Sequence, residues 1–332
     1  MRIVYDELYT HHLRGIPHPE RPERVQYIAA SLQEAGKLEQ LVTPSDALDE
    51  DVLRVHTPAY LETVKREIAS LRGHAAYLST GDTVVDYTSL DVARRAAGGA
   101  LAAVDACIEH NEAAFALLRP PGHHAEPDRG MGFCVFNNAA IAARAFLARY
   151  GGRVLIVDFD YHHGNGTQRV AGNGISYVST HAYPAYPGTG GPAENYFVGD
   201  DAVANIPLTM HDFGSEAFVA LWERILPAVA ARVRPNLLVV SAGFDYIAGD
   251  IVGDLNVAPA VATDLARLIN RIAADHSNGR VAYVLEGGYD LNGLAESVMR
   301  ISDAVDAREI AVGGAAETAI PEPQRLLLEE WA

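Results

Sequence analysis

The amino-acid sequence predicts an α/β fold, an open and mostly parallel sheet with helices on both faces. Three observations predict it. Six short apolar runs are rich in branched side chains and are bounded by turn residues, which is typical of buried parallel strands. Longer segments with helical spacing lie between these runs, and strands that alternate with helices favour a doubly wound sheet. Because no linker, internal repeat or low-complexity block divides the 332 residues, we predict a single domain over residues 1–332.

Strands are predicted where a short apolar run ends at a turn residue or a polar cluster. Each run has the length of a strand rather than that of a helix. In chain order the runs are Arg2–Tyr5, Ala114–Leu118, Val154–Val157, Ile175–Ser179, Leu237–Val240 and Val281–Leu285.

Helices are predicted between these strands, and two of them end at a glycine. In the first helix the apolar residues repeat at helical spacing up to Gly36, and they are Val25, Ile28, Leu32 and Ala35. A second helix covers Asn137–Tyr150 and ends at Gly151. A third follows Ser215 and carries Phe218, Leu221, Ile225 and Val229 at the same spacing. The last residues, which include Pro321 and Pro323, are predicted to form a surface tail.

The composition excludes several classes of protein. Lys and Arg number 26 against 43 Asp and Glu, and the resulting net charge of −17 disfavours nucleic acid as a partner. Cys107 and Cys134 cannot build a disulfide framework, which favours a reducing, cytoplasmic location. No apolar run reaches the ~18 residues of a membrane span, and the chain does not open with a signal-peptide core, so no membrane association is expected. A homo-oligomer is left open.

Dense polar clusters follow four of the predicted strands. The clusters are Arg119–His124, Asp158–Gln168, Ser241–Asp245 and Glu286–Tyr289. In open α/β sheets, ligands bind in the crevice beyond the carboxyl ends of the strands. We therefore predict that the four clusters converge on one site.

The second and third clusters predict a catalytic metal site. Asp160 and His162 are two residues apart, so on an extended segment both side chains point to the same side. Asp245 offers a third ligand from a neighbouring strand end. Two carboxylates and one imidazole suit a borderline divalent ion, zinc first, and leave one position open for water. The alternative, that Asp160 and His162 only cap a loop, is disfavoured by the polar residues crowded around them.

Two adjacent histidines and a tyrosine supply groups for proton transfer and oxyanion stabilisation. His123 and His124 follow Pro-Pro-Gly, and histidine is the side chain best suited to proton transfer near neutral pH. Asp158 and Asn165 are candidates to orient the two rings, one with charge and one without. Tyr289 follows two glycines and could donate a hydrogen bond to an oxygen polarised by the metal.

Taken together, these residues resemble the histone deacetylase and acetylpolyamine amidohydrolase superfamily. Asn165 makes the chain more similar to class II and bacterial members than to the many class I enzymes that have aspartate there. The resemblance implies an arginase-like open α/β fold. The segments that carry it, in order, are His18–Arg24, Val55–Leu61, Arg119–His124, Gly132–Asn138, Asp158–Gln168, Pro187–Gly190, Ser241–Asp250 and Leu285–Tyr289.

The resemblance implies a role for each candidate. The residues that it implies as zinc ligands are Asp160, His162 and Asp245. His123 and His124 would be the tandem histidines, oriented by Asp158 and Asn165 respectively. In the family the second histidine is commonly given the base and acid work, whereas an older scheme divides that work between the two; we favour His124 as the base. Tyr289 matches the tyrosine that polarises the acetyl carbonyl.

The resemblance also implies substrate contacts and a second cation. Gly132 and Phe133 would form one wall of the acyl tunnel, and Tyr186 takes the place of the other wall, which is usually phenylalanine. Asp82 matches a rim aspartate that holds the substrate backbone. Val252 stands where polyamine-selective relatives can carry an acidic residue that admits the substrate. The valine weakens the interpretation that this chain selects polyamines through a glutamate at that position. Potassium near the zinc would be held by Asp158, Asp160, the His162 carbonyl and Ser179.

The sequence therefore predicts a zinc-dependent amidohydrolase that removes an acetyl group from an N-acetylated amine. Acetyl-lysine in peptides or proteins and acetylpolyamines are both candidate substrates, and the net charge of −17 would attract either. One alternative is an arginase-like ureohydrolase, but that chemistry needs two manganese ions and further bridging aspartates. The other is a non-catalytic protein that binds acetylated ligands, and such a protein should lack a zinc ligand, a catalytic histidine or the tyrosine.

Overall fold

A mixed β-sheet forms the centre of the molecule. The computed structural model describes residues 1–209, 213–310 and 317–331. Within this part of the chain, nine strands form one sheet and two form a small separate sheet. The strands are β1 (Arg2–Val4), β2 (Leu41–Val42), β3 (Ala76–Tyr77), β4 (Val84–Val85), β5 (Ala114–Ala116), β6 (Val154–Asp158), β7 (Ile175–Tyr183), β8 (Tyr196–Val198), β9 (Asp201–Thr209), β10 (Leu237–Ala242) and β11 (Val281–Leu285).

The large sheet is almost entirely parallel, as predicted. Its order is β2-β1-β5-β11-β10-β6-β7-β9-β8, and only the β8–β9 pairing is antiparallel. All six predicted strands are present, although some ends differ: β7 continues past Ser179 to Tyr183, and β5 ends at Ala116 rather than Leu118. Strands β2, β3, β4, β8 and β9 were not predicted.

Helices cover both faces of this sheet. They are α1 (Glu23–Glu34), α2 (Asp49–Val52), α3 (Pro58–Ser70), α4 (Ser89–His110), α5 (Asn138–Tyr150), α6 (Asn165–Arg169), α7 (Ser215–Val233), α8 (Val261–His276), α9 (Leu291–Asp306) and α10 (Glu322–Glu329). Helices α4 and α5 pack together over β1, β5, β6, β10 and β11, whereas α1, α9, α8 and α7 pack side by side and contact β7, β9 and β11. The predicted α/β class is therefore confirmed.

The core lies between the sheet and its two helical layers. Every residue of β6, β10 and β11 is buried, which explains why these strands are continuous apolar runs. Among the described residues, no helix combines the length and the apolar composition that crossing a bilayer would require.

The predicted surface tail is wrong, because residues Glu322–Glu329 form helix α10. Pro321 is its N-cap residue and Pro323 lies in the first turn, where a missing backbone N–H breaks no intrahelical hydrogen bond. Gln324 and Leu328 are buried, and the Gln324 amide donates to the Pro207 carbonyl at 2.9 Å. The two prolines therefore begin a docked helix rather than a loose segment.

Candidate active site

The four polar clusters lie side by side at one edge of the sheet. Strands β5, β11, β10 and β6 are consecutive neighbours and run parallel, so their carboxyl ends reach the same edge. Neighbouring strands in a sheet are only ~4.8 Å apart. The loops after these strands bring His123, His124, Asp160, Asp245 and Tyr289 to one place.

Three side chains form a possible metal-binding triad. One ligand atom each from Asp160, His162 and Asp245 lies within 4.8 Å of the others. The His162 Nδ1 atom is 3.2 Å from Asp160 Oδ1 and 2.9 Å from Asp245 Oδ2. Backbone N–H groups hold the carboxylates in place: Gly287 donates to Asp160 Oδ2 at 2.8 Å, and Tyr161 donates to Asp245 Oδ1 at 2.9 Å.

The triad has the properties of a cation site. The Asp245 Oδ2 atom is buried and, although His162 Nδ1 lies 2.9 Å away, it accepts no well-aligned hydrogen bond, which is costly unless something else satisfies it. Burial disfavours the charged form of His162, but Asp245 and Asp160 together outweigh this and raise the pKa of the ring to about 10, so positive charge is favoured there. A Cβ atom on Gly287 would lie 2.6 Å from a carboxylate oxygen of Asp160 and of Asp245, so glycine preserves the space between them. The residues present therefore fit a divalent metal ion.

His123 is held in a charged form by carboxylates. Its Nδ1 atom is 3.1 Å from Asp158 Oδ2, and its Nε2 atom is 3.8 Å from Asp160 Oδ1. Burial favours the neutral ring, but Asp160 and Asp158 outweigh it and raise the pKa of His123 to about 10. Asp158 Oδ2 also accepts from the Tyr177 hydroxyl at 3.0 Å, which fixes the carboxylate that orients the ring.

The pKa of His124 is shifted in the opposite direction from that of His123. Burial, reinforced by the charge of His123, lowers the pKa of His124 well below its ordinary value, so the ring is neutral. Its Nδ1 atom lies 2.8 Å from the Asn165 Oδ1 atom. Neighbouring imidazoles whose environments separate their pKa values can take different roles in proton transfer.

Tyr289 is placed by the loop that follows β11. The Asp250 carboxylate accepts its backbone N–H at 2.6 Å, and the Arg24 guanidinium lies 4.8 Å from the centre of its ring. The residue is only 5 % exposed, and burial raises the pKa of its phenol well above the ordinary value. Tyr289 therefore keeps its proton near neutral pH and can act as a hydrogen-bond donor.

The site lies in a cavity of about 430 Å³. All five predicted substrate-binding residues line it, and they are Asp82, Gly132, Phe133, Tyr186 and Val252. The Tyr186 hydroxyl donates to Asp82 Oδ2 at 3.0 Å, and the Gly132 N–H donates to Asp82 Oδ1 at 2.9 Å. The rim carboxylate is therefore tied to two walls of the cavity.

Aromatic rings form those walls. The centre of the Phe133 ring is 5.9 Å from that of Tyr289, and the Tyr186 ring stands edge-on to His124 with centres 5.2 Å apart. Gly132 has a φ of +56°, and a Cβ atom there would lie 2.2 Å from His124 Cδ2. Only glycine lets this wall approach the imidazole so closely.

The residues predicted to hold potassium are adjacent to the triad. Ser179 on β7 is paired with Asp158 on β6 in the ladder register, and its hydroxyl is 2.9 Å from His181 Nδ1. The Asp160 backbone N–H donates to Asp158 Oδ1 at 3.2 Å. A cation at this position stays a prediction.

A buried ionic network supports the loop that carries Tyr289. Arg24, Arg119 and Glu20 are fully buried. Arg119 donates to both Glu20 oxygens at 2.7 Å, and Arg24 donates to Glu20 Oε1 at 3.1 Å and to the Gly288 carbonyl at 2.6 Å. Burial opposes the charged carboxylate, but Arg119 overcomes this and lowers the pKa of Glu20 to about 2.

Replacing Glu20 with alanine is expected to lower the free energy of unfolding by about 3–5 kcal/mol at pH 7, because two buried guanidinium groups lose their common partner. Urea denaturation measures this change. Because the folded pKa is about 2 and the ordinary value is 4.5, the parent loses this stabilisation as the pH falls, and the difference should shrink toward pH 2. Glu34→Ala, on the exposed side of α1, is the control and should change stability by less than ~0.5 kcal/mol. A Glu20→Ala effect as small as the control would show that the network does not stabilise the fold.

Sequence reasoning missed several residues that support the site. Glu126 accepts from the Asn165 amide, and Glu286 accepts the backbone N–H groups of Gly122 and His123. Glu126 follows the tandem histidines by two residues, and Glu286 is the first residue of the cluster Glu286–Tyr289, but no role was predicted for either. Tyr177 is two residues before Ser179 on β7 and therefore points to the same side of the strand. No sequence signal marks Tyr77, an exposed residue of β3 that lines the cavity.

The fold and this site define a family. The model of the histone deacetylase domain matches residues 18–305, so the chain belongs to the histone deacetylase family. Membership implies a deacetylase, a hydrolase that acts on acetylated substrates, and the family is generally metal-dependent.

Similarity to individual proteins extends over most of the chain. A probable deacetylase of Archaeoglobus fulgidus is 38% identical over 299 residues, which is 88% of this chain and 82% of that protein. Histone deacetylase 15 of Arabidopsis thaliana is 35% identical over 313 residues, covering 90% of this chain and 55% of that protein. A crystal structure of the HDA15 HD domain superposes with a TM-score of 0.86 at 30% identity and covers 99% of this chain and 95% of that one.

Proposed function

We propose that this chain is a zinc-dependent amidohydrolase, a single catalytic domain that removes the acetyl group from an N-acetylated amine. One observation carries the proposal. Asp160 and His162 of the carboxylate–imidazole triad line one cavity with His123, His124 and Tyr289, where the surroundings raise the pKa of His123, lower that of His124 and raise that of the Tyr289 phenol. These are the groups that hydrolysis of an unreactive amide requires.

Asp160, His162 and Asp245 would hold the metal. A zinc ion bound there would polarise the acetyl carbonyl and lower the pKa of a coordinated water toward ~7. The charged His123 adds positive potential beside the site, which favours developing negative charge on the substrate oxygen.

His124 moves the proton. With Nδ1 facing Asn165, its Nε2 atom is the one available to accept a proton as water attacks the acetyl carbon. Tyr289 donates a hydrogen bond to the oxyanion of the tetrahedral intermediate. When the carbon–nitrogen bond breaks, His124 returns its proton to the leaving nitrogen, and acetate and a free amine result.

The cavity suits an acyl group on an unbranched amine. Phe133 and Tyr186 present aromatic surface that can pack along an alkyl chain, and Asp82 offers a carboxylate at the rim. Val252 adds apolar surface where a gatekeeping carboxylate would favour a polycation. Acetyl-lysine and acetylpolyamines both have the required chain, and the two buried free cysteines support a reducing, cytoplasmic setting.

Acetate release tests this proposal. Zinc-loaded protein should release acetate from an acetyl-lysine peptide or from acetylspermidine, offered side by side, and the ratio of the rates identifies the substrate class. A chelator should abolish turnover and added zinc should restore it, because metal binding supplies the electrophile. Release of urea from guanidine substrates with manganese would instead indicate a ureohydrolase. No acetate from either substrate, with one equivalent of metal bound, would contradict the proposal and favour a non-catalytic binder.

A further inference from the structure

A glutamate lies behind the asparagine that faces His124. The Asn165 side-chain nitrogen donates to Glu126 Oε1 at 2.9 Å and to the Met131 sulfur at 3.3 Å. On its other side, the Asn165 oxygen is 2.8 Å from His124 Nδ1. The three side chains form a chain of contacts that runs from the buried imidazole to Glu126, whose side chain is 17 % exposed.

The chemistry of these groups allows only one direction of donation. An ionised carboxylate only accepts hydrogen bonds, so the Asn165 NH₂ group must face Glu126. The Asn165 oxygen must then face His124, and it can only accept. A neutral imidazole carries its proton on one of its two nitrogens. Nδ1 therefore carries the proton and Nε2 is left as a bare acceptor.

Hydrogen bonds hold the backbone of Glu126. Its backbone N–H donates to the Arg129 carbonyl at 2.9 Å, and its carbonyl is 3.1 Å from His56 Nδ1. His56 Nε2 accepts the Asn137 N–H at 2.9 Å, so His56 donates from Nδ1 to the Glu126 carbonyl. The other carboxylate oxygen of Glu126 lies 3.9 Å from the Arg169 Nε atom.

We propose that Glu126 is a positioning residue that selects the Nδ1–H tautomer of His124 by fixing the orientation of the Asn165 amide. This inference rests on the proposed function, in which His124 Nε2 accepts the proton of the attacking water. An amide flip would place NH₂ against Nδ1, favour the Nε2–H tautomer and remove the base. Asn165 alone would not fix its own orientation, because the oxygen and NH₂ ends of the side-chain amide have nearly the same shape. The Glu126 carboxylate fixes it by accepting only from the NH₂ end.

Two substitutions at Glu126 test whether its hydrogen-bond acceptor orients the Asn165 amide. Glu126→Leu keeps apolar bulk but offers no acceptor, and we expect kcat to fall about 10–100-fold, as for other groups that orient an active-site residue. KM should stay within about 2-fold, because the lost interaction matters during proton transfer rather than substrate binding. Glu126→Gln has no charge and can present either its oxygen or its NH₂ group to Asn165, so we expect a kcat between those of Glu126→Leu and the parent. Arg169→Ala, which removes the cation nearest the outer carboxylate oxygen, is the matched control and should leave kcat unchanged.

A spectroscopic measurement tests the tautomer directly. In zinc-loaded protein labelled with ¹⁵N-histidine, two-bond ¹H–¹⁵N spectra report which nitrogen of each ring is protonated, and comparison with His124→Gln assigns the signals. The parent should show His124 protonated at Nδ1, and Glu126→Leu should show a growing Nε2–H population. Protonation at Nε2 in the parent would overturn the inference without any variant. A Glu126→Leu variant that keeps His124 protonated at Nδ1 and turns over like the parent would also overturn it. Because the spectra need no turnover, a parent that hydrolyses no amide contradicts the proposed function alone.

Discussion

Replacing Asp245 with asparagine is expected to weaken zinc binding by more than ~100-fold and to remove amidohydrolase activity. Loss of an outer-shell partner alone costs about 10–100-fold in metal affinity, so loss of a direct anionic ligand should cost more. Asparagine has the shape of aspartate, and its oxygen can still accept the Tyr161 N–H that now binds Asp245 Oδ1. The fold should therefore persist while the metal site fails.

Calorimetric titration with zinc measures the affinity, and thermal unfolding of the metal-free protein checks the fold. Asp254→Asn is the matched control, because Asp254 belongs to the same loop, is exposed and caps it by accepting the Gly249 and Asn256 N–H groups. That variant should bind zinc like the parent. If Asp245→Asn binds zinc as tightly as the control does, Asp245 is not a ligand and the triad is not the metal site.

The sheet strands that were predicted are those whose apolar sequence pattern matches their burial in the folded protein. The runs at β6, β10 and β11 are apolar because both of their faces are covered by helices. Strand β9 gave no such signal, since its sequence includes Asn205 and Pro207, and proline argues against a strand inside a sheet. Among the described residues, β8 pairs with residues 201–203 of β9, and Pro207 pairs with β7 on one side with no strand on the other. Pro207 is tolerated because β8 stops short of it, and the local sequence of β9 carries no information about the length of β8.

The catalytic and metal-binding residues were predicted because they follow strands in the sequence. The strand order and the buried ionic network that position them were not predicted. Along the chain the four strands come in the order β5, β6, β10, β11, but in the sheet the order is β5, β11, β10, β6. The crossover that places Asp245 beside Asp160 is a property of the whole sheet. The buried network of Glu20, Arg24 and Arg119 was not predicted, because charged residues are ordinarily exposed. Their desolvation is compensated only when the three side chains pair with one another in the folded protein.

Replacing Tyr289 with phenylalanine is expected to lower kcat about 10²–10³-fold while metal content and fold stay unchanged, since one oxyanion donor is worth that much. The substitution removes a single oxygen atom. The ring can keep its contacts with Arg24 and Phe133, and Asp250 still holds the backbone N–H. The loss should appear in kcat more than in KM, because the hydrogen bond strengthens as negative charge develops on the substrate oxygen.

Steady-state kinetics with the better of the two acetylated substrates measures this loss, and metal analysis shows whether zinc is retained. Tyr87→Phe is the control, since that tyrosine is 64 % exposed and lies outside the residues that line the cavity. Near-normal turnover by Tyr289→Phe would remove the phenol from the mechanism and leave the metal and His123 to stabilise the oxyanion. A large loss in kcat with one equivalent of zinc retained would instead assign the phenol a part in the transition state, because the ground-state site would be intact.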